Sequence, residues 1–188
     1  MMTDSLFWLI VLLIAEVLVR ISLEIRESRL TQQGGGIFAL LRIIPLVNDL
    51  VPLPENRREP VVGNFVKFHE EGHKAMRHTL LRNVYKIALL LLSLCVIAFA
   101  SVEFTAPLWE AFVWLHLVAF PGRVAYHSYC WKQEFEADRY AFGKVDKKVA
   151  RNALRELGEC EYPHSKLFAL IYREHPTAAL RKQKLNLK

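Results

Sequence analysis

The chain has 188 residues, 53% of them apolar and 23% charged, with a mean hydropathy of +0.16 and a net charge of +6. This length suits one domain, and eight Gly, eight Pro and three Cys exclude a collagen, a disordered chain and a disulfide scaffold. The apolar fraction exceeds what a soluble core needs, so the placement of the charges decides between a nucleic-acid surface and a membrane protein with its Lys and Arg on one side.

Leu6 to Val19 is almost continuously apolar, broken only by Glu16, which Arg20 follows at helical i+4 spacing. It reads as an uncleaved membrane anchor (5–20). A signal peptide would need a basic start where Asp4 stands and a small-x-small cleavage site, and neither is present. Pairing with Arg20 accounts for Glu16 without a functional role. Gln32, Gln33 and Gly34 to Gly36 form a break before the apolar run IFALLRIIPLV. Pro45, Pro52, Pro54 and Pro60 then make Val47 to Pro60 an irregular connector.

Phe68-His69-Glu70-Glu71-Gly72-His73 is an HExxH. On a helix, His69 and His73 lie one turn apart on one face and can present two imidazoles to one Zn2+, while Glu70 can reach a water on that metal as general base. No helix breaker separates this motif from Arg82 and the span that follows, so one helix is expected to run from the metal site into the apolar segment. His78, five residues past His73, falls off the ligand face and is placed with Arg77 at a headgroup boundary.

Ile87 to Phe104 is the strongest span, because 18 residues at 1.5 Å rise cover about 27 Å. A second, shorter apolar stretch, Leu108 to Phe120, carries Glu110 and His116 and ends at Pro121-Gly122. His116 reads as an interhelical hydrogen-bonding residue. No Lys or Arg occurs between Lys86 and Arg123, so 87–122 reads as a membrane hairpin, with 21–86 and 123–188 on the cytoplasmic side. Beyond it, Glu134 to Phe142, Lys147 to Leu157 and Lys166 to Tyr172 have helical patterns, and the basic end RKQKLNLK is assigned to anionic headgroups.

Glu134 and Asp138, in EFEAD, also stand at i, i+4. Glu134 can complete a His2Glu zinc site with an open fourth position, and Asp138 can hold the outer nitrogen of a ligating His, with His69 the candidate. Taken alone, the segment also fits a solvated helix face around Phe135, Ala137 and Phe142. Likewise His175, before Pro176, reads alone as a turn residue.

HEEGH, an apolar hairpin, EFEAD, then His175-Pro176 with Arg181 six residues after the His resembles the HtpX and CAAX prenyl protease type 1 family of integral-membrane zinc metallopeptidases. The resemblance covers residues 61 to 185. It implies a mainly α, integral-membrane fold with zincin-like active-site helices and a small β element before HExxH, to which the apolar segments of this chain add about three membrane helices. It also implies one Zn2+ per chain held by His69, His73 and Glu134, with Glu70 as general base, Asp138 behind a ligand and His175 stabilising the oxyanion. The sequence departs from the family in having one clear span before HExxH, and Gly35 to Leu46 reads either as a shortened substrate-binding edge strand or as a membrane-surface segment.

The function so implied is a membrane-bound zinc endopeptidase acting on membrane or membrane-proximal proteins at the cytoplasmic face of the bacterial inner membrane. The chain is then one domain, 1–188, whose partners are a protein or peptide substrate and the lipid bilayer. A non-catalytic membrane protein with a structural zinc clamp is the alternative. A nucleic-acid binder is disfavoured, since no aromatic and basic module is present. The three cysteines, Cys95, Cys130 and Cys160, lie far apart with no CxxC spacing and read as reduced thiols.

Overall fold

A computed structural model describes residues 4–31, 36–47, 51, 57–58, 63–103 and 107–187. The described elements are helical: α1 (Asp4–Thr31), α2 (Gly36–Ile43), α3 (Asn64–Ala75), α4 (His78–Glu103), α5 (Leu108–Phe142), α6 (Lys147–Cys160), α7 (Lys166–Tyr172) and α8 (Ala178–Lys184). They fall into two compact units, one of residues 1–52 and 86–123, the other of 53–85 and 124–188. The expected break at Gln32 to Gly35 and most of the connector from Val47 to Pro60 lie outside the described residues.

In the first unit, α1 carries Glu16 and Arg20, paired at 2.6 Å. His116 of α5 joins them, its Nε2 2.9 Å from Glu16 Oε1. All three side chains are buried, as charges among apolar helices must be when they are tolerated at all. Of the stretch Gly35 to Leu46, the described residues from Gly36 on form no strand: most of them are α2, and among the described residues no β-strand precedes HExxH. The helical period turns Ala39 and Arg42 inward, with Arg42 Nε 2.7 Å from Glu24 Oε1, and leaves Ile37, Phe38 and Leu40 exposed. A strand would put Phe38, Leu40 and Arg42 on one face and could not separate them this way.

Two described helices are long and apolar enough to cross a membrane, Leu6–Arg29 and His78–Phe99. No residue in the apolar stretch of the second is buried, which is the opposite of a soluble core helix. Leu108 to Phe120 does not end at Pro121-Gly122 as the sequence suggests; α5 continues through Pro121 to Phe142. The proline removes one backbone donor and the turns on either side hold the register.

In the second unit, Phe65 of α3, Ala141 of α5, Ala150 and Leu154 of α6 and Leu187 form a buried cluster. α6 contributes because Ala150, Leu154 and Leu157 recur at helical spacing on one side. α7 starts at Ser165, whose hydroxyl accepts from Phe168 N–H, and α8 at Thr177, whose hydroxyl accepts from Leu180 N–H. The basic end is therefore not simply a headgroup patch: Arg181 and Leu187 are buried in this unit.

The largest departure from the sequence reading lies between α3 and α4. The HExxH helix stops at Ala75, and Arg77, at φ 55°, turns the chain before α4 begins at His78. A non-glycine residue in the left-handed region is uncommon, and nothing in the composition of KAMRHTLL announces it.

Candidate metal centre

The site is built on two helices that touch through small residues. On α3, Phe65, His69 and Gly72 are buried; on α5, Cys130, Glu134, Ala137 and Ala141 are. A Cβ built on Gly72 would lie 3.2 Å from the Cα of Ala137 and 3.2 Å from the Cβ of Tyr140, so the two backbones meet as closely as they can. The offsets then match: His69 and His73 flank Gly72 at −3 and +1, as Glu134 and Asp138 flank Ala137. Seating Gly72 on Ala137 brings the two pairs face to face.

His69 Nε2 lies 3.1 Å from His73 Nε2 and 3.3 Å from Glu134 Oε2, and His73 Nε2 lies 3.3 Å from Glu134 Oε1. Zinc bonds of 2.0 to 2.1 Å in tetrahedral geometry place ligand atoms about 3.3 Å apart. Three donors of the right chemistry thus gather within 4.8 Å of one another, close to the spacing that one zinc ion needs. On this test the residues fit the metal.

Behind them stands a buried polar layer. His69 Nδ1 is 3.0 Å from Asp138 Oδ1, and Asp138 is gripped on both oxygens by Arg181 of α8, with Nε to Oδ2 at 2.8 Å. Arg82 of α4 donates from Nη2 to Glu134 Oε1 at 2.8 Å and from Nε to Gln133 Oε1 at 2.7 Å. Burial pushes the Asp138 carboxyl up, but hydrogen bonds from Arg181 and His69 outweigh it and hold the group below its ordinary value. Glu134 behaves alike: burial raises it, and hydrogen bonds from His175, His69 and His73 bring it far below the usual carboxylate range. Burial lowers His69, yet the hydrogen bonds to Asp138 and Glu134 leave it above 6.5.

The fourth side opens into a cleft of about 420 Å³, bordered by Glu70, His175, Leu154, Leu157 and Arg173. Glu70 is exposed. His175 lies between α7 and α8 with its side chain half exposed and Nδ1 3.2 Å from Glu134 Oε1. Its loop is tied down by Glu161, which accepts from Ala178 N–H at 2.7 Å and from Arg173 Nη2 at 3.4 Å.

The sequence pattern of peptidase family M48 matches residues 61–187, 127 of the 188 residues. The chain belongs to peptidase family M48. Comparison with curated proteins and with solved structures finds no match. The M48 family contains the HtpX and CAAX prenyl protease type 1 zinc metallopeptidases, so the chain is a metallopeptidase whose substrate is a protein or peptide. Its structure brings together all the residues singled out in the sequence: His69, His73 and Glu134 at one point, Asp138 behind His69, Glu70 and His175 at the cleft.

Two residues beside the candidate metal centre escaped the sequence reading. His78 does not sit at a headgroup boundary off the ligand face; it is buried, with Nδ1 2.8 Å from His73 Nδ1. On an unbroken helix five residues would rotate it about 140° from His73, and the turn at Arg77 cancels that rotation. Arg82, one turn further along α4, arrives by the same turn, and no local motif marks it.

Proposed function

We propose that the chain is a membrane-bound, zinc-dependent endopeptidase. It hydrolyses peptide bonds of membrane or membrane-proximal proteins, at the cytoplasmic face of the bacterial inner membrane. The observation that carries this reading is the convergence of His69, His73 and Glu134 within 4.8 Å of one another beside an open cleft that an exposed Glu70 borders. Zinc held by these three residues would supply the Lewis acid that polarises the scissile carbonyl and acidifies the attacking water. Glu70 takes the proton from that water and passes it to the leaving amine. His175 donates to the carbonyl oxygen as negative charge gathers there. Asp138 fixes His69 with Nε2 toward the metal, and Arg181 keeps that carboxylate charged and oriented.

Membrane attachment is supported by the exposed apolar surfaces of Leu6–Arg29 and His78–Phe99 and by the absence of Lys and Arg between Lys86 and Arg123. In this reading Leu108 to Phe120 is the return leg of the hairpin and a third span, and residues 1–188 act as one domain. A purely structural zinc clamp has no use for an exposed carboxylate next to a ligand, and the cleft speaks for catalysis. In purified protein, Glu70→Gln is expected to retain one Zn2+ per chain and to lose cleavage of a protein substrate in proteoliposomes. An undiminished rate in Glu70→Gln would refute the reading.

A further inference from the structure

We propose that His78 is a positioning residue for the metal centre: it accepts a hydrogen bond from His73 Nδ1–H and so fixes the tautomer and ring plane in which His73 Nε2 faces the metal. This rests on the zinc reading above and adds a residue to it. The argument is one of proton counting. The two Nδ1 atoms are 2.8 Å apart, with the rings at 75° to one another. Two lone pairs at that distance repel and two N–H groups collide, so one proton lies between them. His73 Nε2 is the atom turned toward His69 and Glu134, hence the one that must be unprotonated to bind a metal. A neutral His73 then carries its proton on Nδ1, and His78 Nδ1 is the acceptor. His78 in turn carries its proton on Nε2, which faces Glu136 Oε2 at 3.5 Å.

The two ligating imidazoles are therefore held by different devices. His69 has a carboxylate behind it, Asp138, which is itself locked by Arg181. His73 has a second imidazole, backed by the partly exposed Glu136. Both His78 and Arg82 lie on one face of the start of α4, one turn apart, and reach His73 and Glu134 respectively. The left-handed residue Arg77 is what aims that face. A histidine so placed, buried beside a ligand and touching neither the cleft nor the other two donors, has a use in ligand orientation that packing alone would not require.

The test measures Zn2+ binding to metal-free protein in detergent micelles by competition with a chromophoric chelator, with circular dichroism as the check on folding. His78→Phe keeps the ring and removes the acceptor; His78→Gln keeps an acceptor. Affinity is expected to fall 10- to 100-fold in His78→Phe and to recover to within about threefold of wild type in His78→Gln. Wild-type affinity in a folded His78→Phe overturns the proposal, and so does an equal loss in both variants. Should His78→Phe fail to fold, nitrogen NMR of the zinc-loaded wild type decides. A scalar coupling across the hydrogen bond between the two Nδ1 nuclei, with the proton on His73, is expected; a proton covalently on His78 Nδ1 overturns it. Failure of the wild type itself to bind Zn2+ would refute the zinc reading instead, so the two failures are distinct.

Discussion

Replacing Gly72 by Ala tests whether the close approach of α3 to α5 sets the metal centre. The added Cβ would sit 3.2 Å from Ala137 Cα and 3.2 Å from both Cβ and Cδ1 of Tyr140. Ordinary carbon contacts are about 3.5 to 4.0 Å, so α3 must lift by a few tenths of an ångström. The Tyr140 ring can swing away; the Ala137 backbone cannot. Overpacking of this kind costs about 1–3 kcal/mol, and the better helix propensity of Ala returns about 0.8–1 kcal/mol. The net expectation is a loss of about 0–2 kcal/mol in metal-free protein. A lift of that size also exceeds the roughly 0.2 Å tolerance of zinc bonds, because Gly72 is one residue from His73 and three from His69. Zinc affinity should therefore fall about 10-fold or more, a larger effect than the change in melting temperature, about 2–4 °C per kcal/mol for a chain of this size. Chelator competition and thermal melts with and without zinc measure both. A raised melting temperature with unchanged zinc affinity would mean that only helix propensity had acted, and that the Gly72 to Ala137 contact does not set the ligand spacing.

Three further outcomes are expected. Arg82→Gln removes the permanent cation from buried Glu134 and should destabilise the metal-free protein by about 3 kcal/mol, with much less loss once Zn2+ supplies a second cation; equal losses in both forms would contradict this. Because His69 titrates above 6.5 in the metal-free fold, its stabilising charge is complete below pH 6.5 and lost as pH climbs through that raised value, while zinc affinity rises over the same window. Melts and zinc titrations from pH 6 to 8 should therefore trend in opposite directions. Cys130 and Cys160 are fully buried, and burial pushes the Cys130 thiol up, so maleimides should label neither until the protein is denatured, as read by peptide mass mapping; labelling of either in the folded protein would contradict this.

The residues gathered at the candidate metal centre were legible because their chemistry is periodic: i, i+4 pairs of His and of carboxylates keep to one helix face so long as both segments are helical. The helices α6 and α7 were legible for the same reason, from apolar spacing, although α6 runs on past Leu157 to Cys160. What the sequence hid is what one dihedral angle decides. Arg77 in the left-handed region ends α3, brings His78 and Arg82 to the metal centre and starts the apolar helix, yet arginine carries no preference for that conformation. α2 misled for a related reason: an apolar run of its length suits strand and helix alike, and the tie was broken by the distant Glu24, which takes Arg42 inward. Arg181 was visible only as a recurring letter after His175-Pro176; its grip on Asp138 depends on where α8 packs.

The spacing of the ligands along the chain bears on how the protein is made. Sixty residues, 74 to 133, separate His73 from Glu134, and they include all of α4. While the ribosome is still building that stretch, the nascent chain offers the candidate centre His69 and His73 but not Glu134. The three residues that could hold the metal are therefore all present only once α4 and the part of α5 that bears Glu134 have been made.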